Sequence, residues 1–165
     1  MNFNGSITAT GPATITTVDP LGSAQTSPSP YYYQTLAFNN AVTVQNGASL
    51  TVLGAGTVQF NGGVTNHGTM SLTGATTIKG VLVNTGVLHI TGGTAQVAAG
   101  MTLDNTGTVA VDAGKLVLSS GDGGAGGSLT VGTAGTVEFA TSYDFSQPGE
   151  EVLSGDGMLL IDAGA

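Results

Sequence analysis

The fold of this chain is decided by VTNHGTMSL (residues 64–72), VLVNTGVLHI (81–90) and MTLDNTGTVAV (101–111). Each segment has an apolar strand, an Asn, one spacer residue, a Gly and a second apolar strand. The glycines are 18 and 21 residues apart along the chain: Gly68, Gly86 and Gly107. A period of about 20 residues, made only of strand pieces and turn residues, predicts a solenoid.

Alternating apolar residues extend this repeat and divide each period into three short strands. The predicted inward residues of the first face are Leu36/Phe38, Val58/Phe60, Thr76/Ile78, Ala95/Val97, Leu116/Leu118, Val137/Phe139 and Leu159/Ile161. Those of the second face are Leu50/Val52, Met70/Leu72, Leu88/Ile90, Val109/Val111, Leu129/Val131 and Val152. Those of the third face are Val42/Val44, Val64, Leu82, Met101/Leu103 and Tyr143/Phe145, with an interruption at 121–127. This pattern predicts an all-β parallel β-helix, or β-solenoid, of about six triangular coils, in which paired strands lie about 4.8 Å apart.

The pattern divides the chain into two regions. Residues 36–165 are predicted to form the β-solenoid. Residues 1–35 contain a strand-like segment at 5–18, a Pro/Ser/Gly loop at 19–30 and three tyrosines at 31–33. Alternation over 5–18 and the prolines that follow predict a cap or an exchange arm joined to the solenoid by a loop. The tyrosines suit burial against the first coil, or stacking on sugar rings.

Composition excludes several classes of partner. The net charge is −8 and only 7% of residues are charged, with no Arg and two Lys. A basic face for nucleic acid is therefore absent, and anionic membranes are equally disfavoured. No apolar run reaches 18 residues, which predicts no membrane insertion. The chain has no Cys, and its first residues lack the basic and apolar regions of a signal peptide.

The Asn-x-Gly pattern predicts a stacked row of turn residues. Glycine permits a turn with positive φ, and Asn tolerates the left-handed region and can bond its own backbone. The members of this predicted structural turn ladder are Asn46, Asn66, Asn84 and Asn105. An ordinary turn role for each Asn is compatible with the ladder.

Candidate chemistry is sparse, and we predict no enzymatic activity, no catalytic residue, no cofactor and no bound metal. His89 is expected to point outward between Ser71 and Ala110 of the adjacent strands, without a carboxylate partner. Lys79 and Lys115 are expected about two coils apart, so they do not build an acid–base site.

Two alternatives for the outer surface stay open. Nine of the ten acidic residues lie after residue 103, which permits either calcium binding or ordinary solvated turns. The calcium-binding nonapeptide motif does not repeat here. A hydroxyl row includes Thr51, Ser71 and Thr130, but His89 and Ala110 interrupt the regular array that an ice-binding face requires.

The chain resembles a known group of proteins. The Asn-x-Gly-Thr-like turns, GTVEF (135–139) and LSGDGML (153–159) are similar to segments of large secreted β-helical proteins. Filamentous-haemagglutinin-type exoproteins and autotransporter passenger domains are the families concerned, and the likeness covers about residues 36–161. The resemblance implies an extracellular or cell-surface location and a role as an adhesive or spacer rod, with no catalytic residues to transfer.

These observations predict a non-enzymatic structural or adhesive module of a bacterial surface or secreted protein, with a host or matrix surface as one partner. One alternative is a filament subunit joined end to end by strand pairing, because unpaired strand edges recruit other chains. A second is a glycan-binding or glycan-cleaving β-helix. The predicted assembly residues of the filament alternative are Ile7, Ala9, Ala13, Ile15, Leu159 and Ile161.

Overall fold

The computed structural model of the protein describes residues 1–17, 35–54, 56–98, 102–119, 121–122, 126–140, 143–144 and 152–162. These residues contain nineteen β-strands and no helix. Every strand pairing among them is parallel. The predicted all-β fold of stacked, parallel coils is therefore confirmed, and the protein is a β-solenoid.

The strands follow one another with short connections in most places. The first nine are β1 (Asn2–Phe3), β2 (Ile7–Ala9), β3 (Pro12–Thr17), β4 (Thr35–Phe38), β5 (Val42–Val44), β6 (Ser49–Gly54), β7 (Thr57–Phe60), β8 (Val64–Asn66) and β9 (Thr69–Leu72). The other ten are β10 (Thr76–Ile78), β11 (Leu82–Asn84), β12 (Val87–Val97), β13 (Leu103–Asn105), β14 (Thr108–Leu118), β15 (Gly121–Asp122), β16 (Ser128–Phe139), β17 (Tyr143–Asp144), β18 (Val152–Gly155) and β19 (Met158–Ile161).

The strands stack on three faces, of which the first and second run the length of the described solenoid and the third is shorter, while β15 and β17 form a separate two-stranded sheet. The first face stacks β1, β4, β7 and β10, continues through the second halves of β12, β14 and β16, and ends at β19. The second face stacks β3, β6 and β9, continues through the first halves of the same three long strands, and ends at β18. The third face is a separate five-stranded sheet of β2, β5, β8, β11 and β13, which marks five successive turns against the six or so coils predicted.

The core is the narrow column between these faces. Alternate Val, Leu, Ile and Phe residues of every central strand point inward and are fully buried, because a strand places successive side chains on opposite sides. Within the first face, Phe38 stacks on Phe60 with ring centroids 5.4 Å apart, and Phe3 packs on Phe38 at 5.9 Å. Identical core positions in successive coils therefore form continuous columns.

Two of the long strands turn a corner without leaving the sheet. β12 and β14 each begin on the second face and finish on the first, and a glycine with positive φ lies inside each of them. These residues are Gly93, with φ of 65°, and Gly114, with φ of 82°. A residue with a Cβ adopts this left-handed conformation only at an energetic cost, so glycine suits the corner.

Residues 1–17, predicted as a cap or exchange arm, form a coil of the same solenoid. β1, β2 and β3 pair in parallel with β4, β5 and β6 of the same chain. Ile7 aligns with Val42 and Ile15 with Val52, so both continue core columns of the coil that follows.

One register prediction is wrong. Val152, predicted as an inward residue of the second face, aligns with the outward Ser128, while Leu153 aligns with the buried Leu129. Two consecutive apolar residues allowed either register, and strand pairing selects the second. The tyrosines at 31–33, the loop at 19–30 and the predicted core residues Met101 and Phe145 lie outside the described residues.

Candidate functional site

The asparagines of the repeat form a buried ladder along the third face. Asn66, Asn84 and Asn105 are fully buried at equivalent positions of β8, β11 and β13. Asn66 Nδ2 donates to Asn84 Oδ1 at 2.8 Å, and Asn84 Nδ2 donates to Asn105 Oδ1 at 2.8 Å. Each amide therefore stacks on the amide of the next coil inside the apolar column.

The second N–H of each amide is satisfied by the backbone of the following second-face strand. Asn66 Nδ2 donates to Val87 O at 2.9 Å, Asn84 Nδ2 to Thr108 O at 3.0 Å, and Asn105 Nδ2 to Ser128 O at 3.2 Å. An Asn amide carries two N–H donors, and both are satisfied at Asn66 and Asn84. The ladder thereby ties the third face to the second across each coil boundary.

The predicted geometry of this ladder needs two corrections. Asn46 is not a member, because Val44 occupies the equivalent position in β5 and Asn46 lies exposed in the turn that follows. The ladder residues do not adopt the left-handed region either, since every positive φ in the described chain belongs to a glycine. They are inward strand residues, which places their amides in the core instead of in a turn.

The glycines that follow the ladder residues are required by close packing, not by positive φ. A Cβ on Gly86 would lie 2.1 Å from Gly68 O, and a Cβ on Gly107 would lie 2.2 Å from Gly86 O. Neither glycine has positive φ. The turn of each coil therefore rests directly on the backbone of the turn before it. The two backbones are so close that only a residue without a Cβ fits there.

The ladder has an unpaired acceptor at its N-terminal end. Asn66 Oδ1 is buried and has no hydrogen-bond partner in the structure, because its neighbour in β5 is the apolar Val44. A buried acceptor without a partner destabilises the folded state by about 1–3 kcal/mol. The ladder therefore begins with an unsatisfied acceptor.

The outer side of the second face carries mainly small polar groups. Strand pairing aligns one outward row, which comprises Thr14, Thr51, Ser71, His89, Ala110, Thr130 and Ser154. Hydroxyls contact each other along this surface: Thr73 Oγ1 lies 2.9 Å from Thr91 Oγ1, and Thr130 Oγ1 lies 3.3 Å from Ser154 Oγ. As expected from the sequence, His89 and Ala110 interrupt the hydroxyl row.

The prediction that His89 lacks a carboxylate partner is wrong. Its Nδ1 lies 2.8 Å from Oδ2 of Asp112, which is two residues beyond the strand partner Ala110. The directly opposite neighbours carry no carboxylate, but long side chains also reach diagonal positions. Ser71 is opposite His89, but the structure shows no hydrogen bond between them. The pair is solvent-accessible.

Both lysines have partners on the outer side of the first face. Lys115 forms an ion pair with Glu138, and Lys79 Nζ donates to Gln59 Oε1 at 3.3 Å. These contacts connect adjacent coils, and exposed pairs of this type contribute at most about 1 kcal/mol. The lysines do not converge on one site. Within the described ranges there is no group of three or more His, Asp and Glu residues that could hold a metal ion.

The last coil is unlike the coils beneath it. All eight residues of β18 and β19 are exposed, although six of them are large and apolar. Leu153, Leu159 and Ile161 align with the buried residues Leu129, Val137 and Phe139 of β16. This coil therefore presents core-type side chains at one end of the solenoid.

The sequence-predicted assembly residues lie at both ends. Leu159 and Ile161 belong to β19, while Ile7 and Ala9 of β2 and Ala13 and Ile15 of β3 belong to the first coil. Ala9 is already buried by its own solenoid, Ile7 and Ile15 are half-buried, and Ala13 is exposed. The structure thus separates the two groups instead of joining them within one chain.

Comparison with protein-family models, with curated proteins and with solved structures gives no match. No helix among the described residues has the length and apolar character needed to cross a membrane.

Proposed function

We propose that this chain is a non-enzymatic structural module: a stiff β-solenoid rod of a bacterial surface or secreted protein, working outside the cell. The observation that carries the proposal is the repeated coil: the parallel pairing and buried columns of the first and second faces continue from β4 to β16, and successive turns pack closely. Such a body keeps a fixed length because each coil rests on the backbone of the one before it. Its role is to hold attached parts apart and to present long polar faces.

The outer surface supports an adhesive contribution to this role. Its described rows consist mainly of hydroxyl and amide groups, and three of its charged side chains contact polar groups of adjacent coils: Lys115 with Glu138, Asp112 with His89, and Lys79 with Gln59. A surface rich in hydroxyl and amide groups can form many hydrogen bonds with a host or matrix surface. The resemblance to secreted β-helical proteins supports the same location and role. No described set of residues favours the glycan-cleaving alternative.

Stiffness is the property that tests the proposal. Thr14 and Ser154 belong to one outward row and are connected by six successive strand pairings, through Thr51, Ser71, His89, Ala110 and Thr130. At about 4.8 Å per pairing, their backbones lie about 29 Å apart. The chain contains no Cys, so cysteines introduced at these two positions can be spin-labelled uniquely.

The measurement is the distance distribution between spin labels on Thr14→Cys/Ser154→Cys, diluted with unlabelled protein. We expect one narrow distribution near the value above. The matched pair Thr51→Cys/Thr130→Cys spans four pairings and should give about 19 Å. A broad distribution for the long pair, beside a narrow one for the short pair, would contradict a rigid rod. Binding of beads coated with the protein to host-cell and matrix layers, compared with uncoated beads, tests adhesion.

A second candidate function, the end-to-end filament, is favoured by the exposed apolar residues of β18 and β19. In that case the rod would be one segment of a longer assembly.

A further inference from the structure

We propose that the last coil, β18 and β19, binds the first coil, β1 to β3, of a second copy of this chain. The inference rests on the proposed role as a structural rod and names the partner of its C-terminal end. It would make the rod a repeating unit whose length is set by self-assembly.

Residues of the same core columns differ sharply in exposure between β16 and the last coil. Leu153, Leu159 and Ile161 are 40%, 42% and 70% exposed, whereas their partners in β16, namely Leu129, Val137 and Phe139, are 0%, 0% and 2% exposed. The side chains are of the same type at the same positions. Among the described strands, β16 has a further layer paired beyond it and β18 and β19 do not, so one more coil of this architecture would bury the end.

The outward residues of the last coil give a second argument. Met158 and Leu160 of β19 align with Thr136 and Glu138 of β16, on the outer side of the first face. On the first face the outer surface changes from polar to apolar at the last coil, where both residues are exposed. Exposed clusters of large apolar residues mark contact surfaces. The end is therefore suited to contact with a neighbour that covers the rim as well as the core column.

A second copy is the occupant that fits this end best, because its first coil provides the matching surface. Within the protein, successive coils pair through parallel strand edges, and among the described strands β1, β2 and β3 are each paired on one side only. Phe3 is 45% exposed at the end of the phenylalanine column, whereas Phe38 behind it is buried. Ile7 and Ile15, both half-buried, complete an apolar surface at this end.

The polarity of the contact follows from the parallel pairing. The C-terminal edge of one copy meets the N-terminal edge of the next, so the two surfaces are different and the contact is heterologous. A heterologous contact that does not close into a ring produces an open filament. Each copy then has one donor end and one acceptor end, and blocking either end has a distinct effect.

The test uses two variants that block opposite ends, Phe3→Asp and Ile161→Asp. Both residues are partly exposed, so each variant should keep the melting temperature of the unsubstituted protein within a few degrees. We expect the unsubstituted protein to form species of increasing mass with concentration in sedimentation velocity, and filaments in electron micrographs. Each variant alone should remain monomeric. An equimolar mixture of the two should form a dimer and nothing larger, because one functional end survives on each partner.

The control is Thr106→Asp, which adds the same charge at an exposed turn between β13 and β14, in the middle of the solenoid, and should assemble like the unsubstituted protein. If Phe3→Asp unfolds the first coil, Ile161→Asp alone can still test the contact, because a subunit with this substitution can end a filament but cannot extend it. Mixed in equal amounts with the unsubstituted protein, it should shorten filaments to about two subunits on average, since each filament ends at one terminator.

A monomer at all concentrations would overturn the inference and leave the stiff rod, with its spin-label distances, intact. Unimpaired assembly of both variants would also overturn it, because the contact would then lie elsewhere. Broad spin-label distances combined with assembly would instead contradict the rod and not the contact.

Discussion

The residue that distinguishes this solenoid from a purely apolar one is the inward Asn of the third face. Its amide would destabilise the core if it were alone, because a buried polar group without partners is unfavourable. Here the coil above satisfies it, through one amide oxygen and one backbone carbonyl. The same residue also restricts register, since a shift of one residue would remove both bonds and bury an unpaired amide.

We predict that Asn84→Ala lowers the free energy of unfolding by about 2–4 kcal/mol, since it breaks the middle of the ladder. The substitution removes the acceptor of Asn66 Nδ2 and the donor to Thr108 O, and it leaves a cavity. Urea unfolding followed by circular dichroism measures the loss. Asn46→Ala, at an exposed position outside the ladder, should change the value by no more than about 0.5 kcal/mol. Equal effects of the two substitutions would contradict the ladder.

A second prediction concerns the unpaired acceptor at Asn66. Val44→Asn would place a donor next to Asn66 Oδ1 and extend the ladder by one coil. Val42→Asn introduces the same group at another fully buried position of β5, where the column has Val64 as the neighbour. We expect Val44→Asn to be at least about 2 kcal/mol more stable than Val42→Asn in urea unfolding. Similar losses for both variants would show that the added amide does not bond to Asn66.

How far the sequence predicts these residues can be judged from the ladder itself. The recurrence of Asn-x-Gly identified Asn66, Asn84 and Asn105 as a stacked set. The turn-based interpretation missed that each Asn comes two places after an inward Val or Leu. Period-two alternation therefore already placed each Asn on the inward side. The diagonal contact between His89 and Asp112 was missed because strand alignment gives the directly opposite residues. It does not give the distance over which a long side chain can extend.

At the level of elements, the solenoid is built from short strands whose connections are tight enough to bring backbones into contact. Two uses of glycine make this possible: positive φ at the corners of β12 and β14, and close approach at the turns before them. Strand membership of the three faces was predictable because apolar alternation is strong in each strand. The continuity of β12 and β14 around the corners was not predictable. A sequence pattern shows that the chain changes face, but it does not show whether strand pairing continues through the corner.

The close approach can be tested with Gly107→Ala. Its Cβ would lie 2.2 Å from Gly86 O, so adjacent turns would have to separate and weaken the bonds from Thr108 N to Gly86 O and from Gly107 N to Asn84 O. We predict a loss of about 2–4 kcal/mol in thermal or urea unfolding. The control is Gly11→Ala, where no atom lies within 4 Å of the added Cβ and φ is not positive. A neutral Gly107→Ala would contradict the tight stacking of turns.

At the level of the whole molecule, contacts connect each coil mainly to the coils on either side. Stability in such an array is approximately a sum of coil terms and nearest-neighbour terms, so the ends are the least protected. The sequence predicted this architecture because each repeat carries its own copy of the pattern. It predicted the first coil less well: residues 5–18 showed strand alternation, but the prolines that follow suggested a separate arm. Which segment pairs with which is a long-range property that local alternation does not specify.

We predict a gradient of amide hydrogen exchange along the rod. Amides of β11, β12 and β13, which have coils on both sides, should exchange slowest, and those of β18 and β19 fastest. Mass spectrometry of peptic fragments over a time course measures this order. The exchange is measured at low protein concentration, so that self-association does not protect the ends. Uniform protection along the chain would contradict the gradient and would mean that the solenoid unfolds as a single cooperative unit.

The contact between successive turns has a consequence for how such a chain can change over generations. Since Gly86 and Gly107 occupy equivalent places on consecutive levels, removal of residues 87–107 would join Gly86 to Thr108 at the same point of the repeat. The gene can therefore gain or lose a whole level by an in-frame duplication or deletion, and every remaining level keeps its neighbours. A deletion of only a few residues within a coil does not join equivalent positions, so the strands of that coil would lose their alignment with the adjacent coils. The length of this protein should therefore vary between generations in steps of one whole coil. The distance that the rod spans would then be inherited in multiples of one coil.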